Sequence, residues 1–223
     1  MNSKCVQVGR VIRTNCYIIT DDSDPEKPFS ALIDPGDDFE EIDEAVAETV
    51  GKDPDYIILT HGHFDHIGAL APLHDRYPSA KIAVGAHENM DPERILSDAK
   101  DVLGSFFKFT GLAIYGGTVP RPDILLHDGD RIGPFTVLHT PGHTEGSICL
   151  LGTKDKVLFS GDTLFRHSYG RTDLPGGSDM KIAASLKRLL HLDPETTVYP
   201  GHEEPTLIGD ERDYFRFQLD WEG

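Results

Sequence analysis

Three histidines and an aspartate crowd into six residues in Thr60-His61-Gly62-His63-Phe64-Asp65-His66, an HxHxDH pattern. At this chain's own His and Asp frequencies, chance supplies about 0.003 such matches. Neutral histidines add no charge, so charge balance does not account for the cluster, whereas metal ligation does. Imidazole and carboxylate together suit zinc and other first-row ions. Residues two apart on a helix point to opposite sides, so His61 and His63 can share an ion only from a turn. Gly62 permits the close bend, and Gly68 lets a following helix approach with little bulk.

Further candidates share one grammar: an apolar run ends, a small or turn residue follows, then a potential ligand. YIILT leads to His61, TVLHTPG to His143, KVLFSG to Asp162 and TVYPG to His202. Four such runs predict four sets of ligands at strand ends on one edge of the fold, where rigid elements aim loop residues. The residues can be shared between two metals. His61, His63 and His143 would hold the first; Asp65, His66 and His202 would hold the second. Asp162, with two oxygens, would bridge both. Two cations lower a shared water's pKa towards neutrality and yield a bridging hydroxide nucleophile.

The elements that must position these residues are legible as short runs. Strands are expected at 16–20, 30–33, 56–59, 81–84, 124–126, 135–139, 147–151, 156–159 and 197–200. Gly152-Thr153-Lys154-Asp155 marks a hairpin. One helix is expected over about 38–50, with Asp38 and Glu41 resembling a capping pair, a second over 68–77, and a third over 179–192 with Ser178 as its N-cap. Residues 86–120 read as a helix and a partly apolar loop, with Phe106, Phe107, Phe109 and Tyr115 as core or as a pocket wall. TNCYII followed by ALIDPG parallels TEGSICLL followed by VLFSGD, which suits a two-sheet fold built from similar halves.

Composition narrows the function. The chain has 223 residues, 38% hydrophobic and 26% charged, as a globular protein does. The formal charge of −17 disfavours nucleic acid and anionic membrane as partners. No apolar run approaches the ~18 residues of a membrane span, and the N-terminus carries no apolar signal-peptide core. Cys5, Cys16 and Cys149 are odd in number and lack CxxC spacing, so buried free thiols in a reducing cytoplasm are expected. With no linker or low-complexity segment, residues 1–223 read as a single domain.

The segments THGHFDHIG, HTPGHTEGS, FSGDTLF and YPGHE resemble the metallo-β-lactamase superfamily over about residues 5–215. Within it they resemble the glyoxalase II-like (hydroxyacylglutathione hydrolase-like) branch. The resemblance implies an α/β fold, an αββα four-layer sandwich with a dinuclear site at one edge. It carries the metal ligands onto His61, His63, Asp65, His66, His143, Asp162 and His202, with two divalent ions per chain and zinc ahead of iron or manganese. Asp34, in the early DPG-type turn, matches a family aspartate that supports the site rather than ligating. Arg171 stands where a basic residue contacts glutathione in the longer enzymes; pairing with Asp173 is the competing reading. The chain stops 21 residues after His202, which resembles a short bacterial-type form without the C-terminal helical domain.

The leading expectation is therefore a hydrolase of a small-molecule thioester such as S-lactoylglutathione, with Asp65 orienting the nucleophile as it ligates. A thiolate, from a thiol of pKa near ~8.5, leaves without much help from an acid. The alternative is an iron-dependent persulfide dioxygenase, a family that also resembles this chain in the GRTD segment. A flavo-diiron electron carrier is disfavoured because His63 stands where those proteins have Glu. Secreted β-lactamase activity is disfavoured by the missing signal peptide, and RNA processing by the charge. The oligomeric state, the acyl group and the thiol carrier are not encoded legibly.

Overall fold

A computed structural model describes residues 1–216. The chain forms two compact units, one from Met1–Val84 with Asn89–Leu125, the other from Gly85–Glu88 with the chain from Leu126 on.

In the first unit, β1 (Asn2–Val8), β2 (Thr14–Asp21) and β3 (Phe29–Ile33) pair antiparallel. The strands β4 (Tyr56–Leu59) and β5 (Lys81–Gly85) then add in parallel, and β6 (Ile124–Leu126) closes the order β1-β2-β3-β4-β5-β6. Parallel neighbours need crossovers. These are α1 (Phe39–Thr49) before β4, and α2 (Phe64–Ile67) with α3 (Leu70–Arg76) before β5. Leu32, Ile57, Leu59, Ile82 and Val84 share one core with Ile42 and Val46 of α1 and Leu70 and Leu73 of α3. Each such side chain contributes about 1.5–3 kcal/mol on burial. The alternate residues Ala31, Ile33, Ile58 and Ala83 are buried as well. Burial on both faces explains why these strands read as unbroken apolar runs rather than alternating ones.

Two local expectations fail here. Asp38 precedes α1 but adopts a left-handed φ of 58° and makes no side-chain cap. Its carboxylate instead accepts from the Gly9 N–H at 2.9 Å and from Arg10 Nε at 3.1 Å. Cys5 is exposed, because it lies on the edge strand β1; Cys16 and Cys149 are buried, and all three are free thiols. The ambiguous stretch resolves into α4 (Pro92–Leu103), a 3₁₀ segment (Gly104–Phe109) and α5 (Gly111–Ile114). Asp91 and Thr110 cap α4 and α5 through the N–H groups of Glu93 and Ala113. Phe107 and Tyr115 pack on the core, whereas Phe106 and Phe109 are exposed.

In the second unit, β7 (Arg131–Ile132), β8 (Phe135–His139), β9 (Ile148–Gly152) and β10 (Val157–Gly161) run antiparallel. The helix α6 (Asp179–Leu190) carries the chain over to β11 (Thr197–Pro200), parallel to β10. After it come β12 (Thr206–Leu207), antiparallel to β11, and α7 (Ile208–Phe215), giving the order β12-β11-β10-β9-β8-β7. Ser178 caps α6 by accepting the Lys181 N–H, as its position before the helix predicts. Ile182, Leu186, Leu189 and Leu190 of α6 and Ile208 and Phe215 of α7 pack with Leu138, Cys149, Leu158 and Val198 of the sheet.

The internal echo is real at the level of pairing. β2-β3-β4 and β9-β10-β11 are each an antiparallel pair followed by a parallel strand. The mixed α/β class with two sheets agrees with the fold that the sequence implies. Among the described residues, no helix is long and apolar enough to cross a membrane.

Candidate functional site

The donor residues divide between the two units. In the first, His61 follows β4, and His63, Asp65 and His66 lie at and just inside the start of α2. A buried aspartate organises them. Asp34, at the end of β3, sits at φ 53° and is 1% exposed. It accepts from the Thr60 N–H at 2.8 Å, the Thr60 hydroxyl at 2.7 Å and His66 Nδ1 at 3.0 Å. The Thr60 hydroxyl proton is thus committed to Asp34, so Thr60 Oγ1 accepts from His61 Nδ1–H at 3.1 Å.

Both buried imidazoles, His61 and His66, therefore carry their proton on Nδ1 and present the Nε2 lone pair, the form in which histidine ligates. The His61 ring lies 4.7 Å from that of His63 and 4.1 Å from that of His66, centroid to centroid. Asp65 Oδ2 is 3.8 Å from His66 Nε2. Gly68 is required beneath this turn, because a Cβ there would run into the Gly36 carbonyl and Asp37 Oδ1. Asp37 itself is buried, and burial pushes its carboxyl up to about 6, against the lowering effect of the Gly111 N–H.

In the second unit, Asp162 follows β10, His143 follows β8 and His202 follows β11. Asp162 Oδ2 stands 3.5 Å from His143 Nε2 and 3.3 Å from His202 Nε2. Two donors each about 2.0–2.2 Å from a zinc ion, at a tetrahedral angle, stand roughly 3.3–3.6 Å apart, so this spacing fits shared coordination. The backbone fixes the tautomer of His143, whose Nδ1–H donates to the Arg171 carbonyl at 2.8 Å. Gly170 packs under the same ring: a Cβ there would lie 2.8 Å from His143 Nδ1 and would collide with the Asp162 carbonyl. The residues present therefore fit divalent metal ions by donor type, by tautomer and by spacing.

Within the first unit, then, His61, His63, Asp65 and His66 come together beside Asp34. Within the second, His143, Asp162 and His202 do so. The Arg171 guanidinium points to Asp173, with Nε–Oδ1 and Nη2–Oδ2 both at 2.7 Å. Sequence reasoning missed the Arg171 carbonyl and Gly170. A backbone carbonyl leaves no mark in a sequence; the only signal was a glycine set between two polar residues after FSGDTLF.

Residues 9–202 match the family model of the metallo-beta-lactamase superfamily. Among curated relatives, a probable metallo-hydrolase, YqgX of Bacillus subtilis, is 34% identical over 96% of this chain and 95% of its own. The hydroxyacylglutathione hydrolase GloC of Haemophilus influenzae is 32% identical over 95% of both chains. Among solved structures, TTHA1623 in a di-iron-bound form superposes with a TM-score of 0.75 at 37% identity, covering 93% of this chain and 96% of that one. ETHE1 from Myxococcus xanthus gives 0.69 at 26%, covering 99% and 90%.

Proposed function

From a chain that belongs to the metallo-β-lactamase superfamily, we propose a dinuclear metallo-hydrolase that cleaves a small thioester such as S-lactoylglutathione. His61, His63 and His143 would hold one ion and Asp65, His66 and His202 the other, with Asp162 available to both. The observation that carries this reading is Asp162 Oδ2, set 3.3 Å and 3.5 Å from two imidazole Nε2 atoms. When bound, two divalent ions supply Lewis-acid charge and make a water molecule acidic enough to ionise near neutral pH.

The chain's own residues do the rest. Asp34 holds Thr60 and His66, and through Thr60 it fixes His61, so these two imidazoles are held with Nε2 free of its proton. Asp65 orients the attacking water. The leaving thiol ionises readily, which fits the absence of any assigned general acid. A nucleophile at either buried cysteine is disfavoured: burial pushes Cys149 up to about 11 and Cys16 well above its ordinary value. Three free thiols support a reducing, cytoplasmic setting.

Likeness to GloC supports the thioester. Zinc is the leading metal, and the di-iron relative puts iron into the test. A second reading, a persulfide dioxygenase using one iron, shares the fold and the GRTD segment. Elemental analysis of the native protein, beside a thioester panel and an oxygen electrode with glutathione persulfide, separates the two. Two metals per chain with thioester turnover is expected; one iron with oxygen uptake would overturn the hydrolase reading.

A further inference from the structure

We infer that Glu211, 49 residues beyond Asp162 in the chain, is a positioning residue for the metal ligands of the second unit. It acts by locking the loop that joins Asp162 to Arg171. The inference rests on the metal-binding reading above.

Glu211 lies in α7 and is 0% exposed, unusual for an acid that ligates nothing in either proposed set. Both of its oxygens are used. Oε1 accepts from the Thr206 hydroxyl at 2.6 Å, and Oε2 accepts from the backbone N–H of His167 at 2.8 Å. The second bond reaches across 44 residues into the loop. His167 has a left-handed φ of 57°, an uncommon conformation for a residue with a Cβ, and contacts to its N–H and its ring hold it there.

Those contacts come from one face of one helix. Glu211, Tyr214 and Phe215 stand at i, i+3 and i+4, the spacing that shares a helical face. Tyr214 stacks on the His167 ring with centroids 4.6 Å apart, and Phe215 meets the Tyr169 ring at 6.1 Å. The loop passes this grip on to the ligands. The Gly170 N–H donates to the Asp162 carbonyl at 3.0 Å, closing the loop on the residue that opens it. One residue later, the Arg171 carbonyl takes the His143 Nδ1 proton. A single buried carboxylate thus sets the loop whose two ends orient Asp162 and choose the tautomer of His143.

The test compares the full-length chain with Glu211→Gln, Glu211→Ala and Thr206→Val. Thr206→Val removes the other partner of the carboxylate and leaves the His167 bond in place, so it reports a purely structural contribution. Two readouts are used. One is the ¹⁵N shift pattern of the His143 ring in chelator-stripped protein, assigned with His143→Gln. The other is zinc affinity by competition with a fluorescent chelator.

Wild type and Thr206→Val should show a single Nδ1–H tautomer at His143. Glu211→Ala should show a mixture, with zinc affinity lower by about 10–100-fold, the usual loss when a ligand's support is removed. Glu211→Gln, which keeps one acceptor, should fall between. A folded Glu211→Ala or Glu211→Gln protein with an unaltered His143 tautomer would overturn the inference, whatever its zinc affinity. Should wild type bind no zinc yet show the tautomer shift in Glu211→Ala, the metal reading fails and the loop lock stands.

Discussion

The ends of β3 and β10 begin alike and finish in opposite roles. Each is the second strand of an antiparallel pair, each has a parallel neighbour, and each runs into an aspartate. At β3 the left-handed residue is the aspartate itself, Asp34 at φ 53°. Its carboxylate turns back to the end of β4 and meets three donors on Thr60 and His66. At β10 the left-handed residue is Gly161, at φ 50°, and the pairing with β11 shifts register between Phe159 and Gly161. Asp162 follows the kink, and its Oδ2 faces the Nε2 atoms of His143 and His202. Moving the left-handed position by one residue separates an aspartate that supports ligands from one that is proposed as a ligand.

The harshest way to break this comparison is Asp162→Ala. Metal content should be lost and turnover should fall about 10³-fold or more, roughly 4 kcal/mol of transition-state stabilisation. Elemental analysis and steady-state kinetics read both, and wild-type turnover would contradict the shared role of Asp162. Asp34→Asn should behave differently. The amide NH₂ faces donors where the carboxylate accepted, so urea denaturation should show a loss of about 3 kcal/mol. Chelator competition should show affinity weakened about 10–100-fold, with two ions still bound at saturation.

Asp37, close behind Asp34, gives a pH test. Its carboxyl rises from 3.8 to about 6 on folding, chiefly through burial. Between those values the folded chain holds a proton that the unfolded chain has released. Stability from this group is therefore complete below about 3.8 and is lost as pH rises through 6, by about 2–3 kcal/mol. Asp37→Asn should flatten that decline in denaturation curves taken from pH 4 to 7. The smallest effect sharpens the contrast from the second unit. Ser178→Ala removes the cap of α6 and should cost about 1 kcal/mol in thermal or urea unfolding. Metal affinity should not change, because alanine keeps the backbone N–H that Ser178 donates to the Gly142 carbonyl beside His143, at 2.8 Å.

Much of the frame was legible because its signals are local. YIIL, FTVLH, VLFSG and TVYP are strands, the hairpin between β9 and β10 turns at 153–156, and Ser178 caps α6. What escaped was set by distant partners. Asp38 has the look of a capping residue, but Gly9 and Arg10 claim its carboxylate from 29 and 28 residues away. Phe106 and Phe109 read as core or as a pocket wall, and in the 3₁₀ segment both are exposed. Glu211 sits in an acidic, weakly patterned stretch, and its link to His167 spans 44 residues. The HxHxDH cluster was conspicuous in sequence; the tautomers that make it fit for ligation depend on Asp34, 27 residues upstream of His61.

Anomalous diffraction from crystals of the natively metallated protein, collected on both sides of the zinc and iron edges, tests the central claim most directly. Two peaks per chain are predicted, with Asp162 in contact with both ions and Asp34 with neither. A single peak, or an ion ligated by Asp34, would contradict the account.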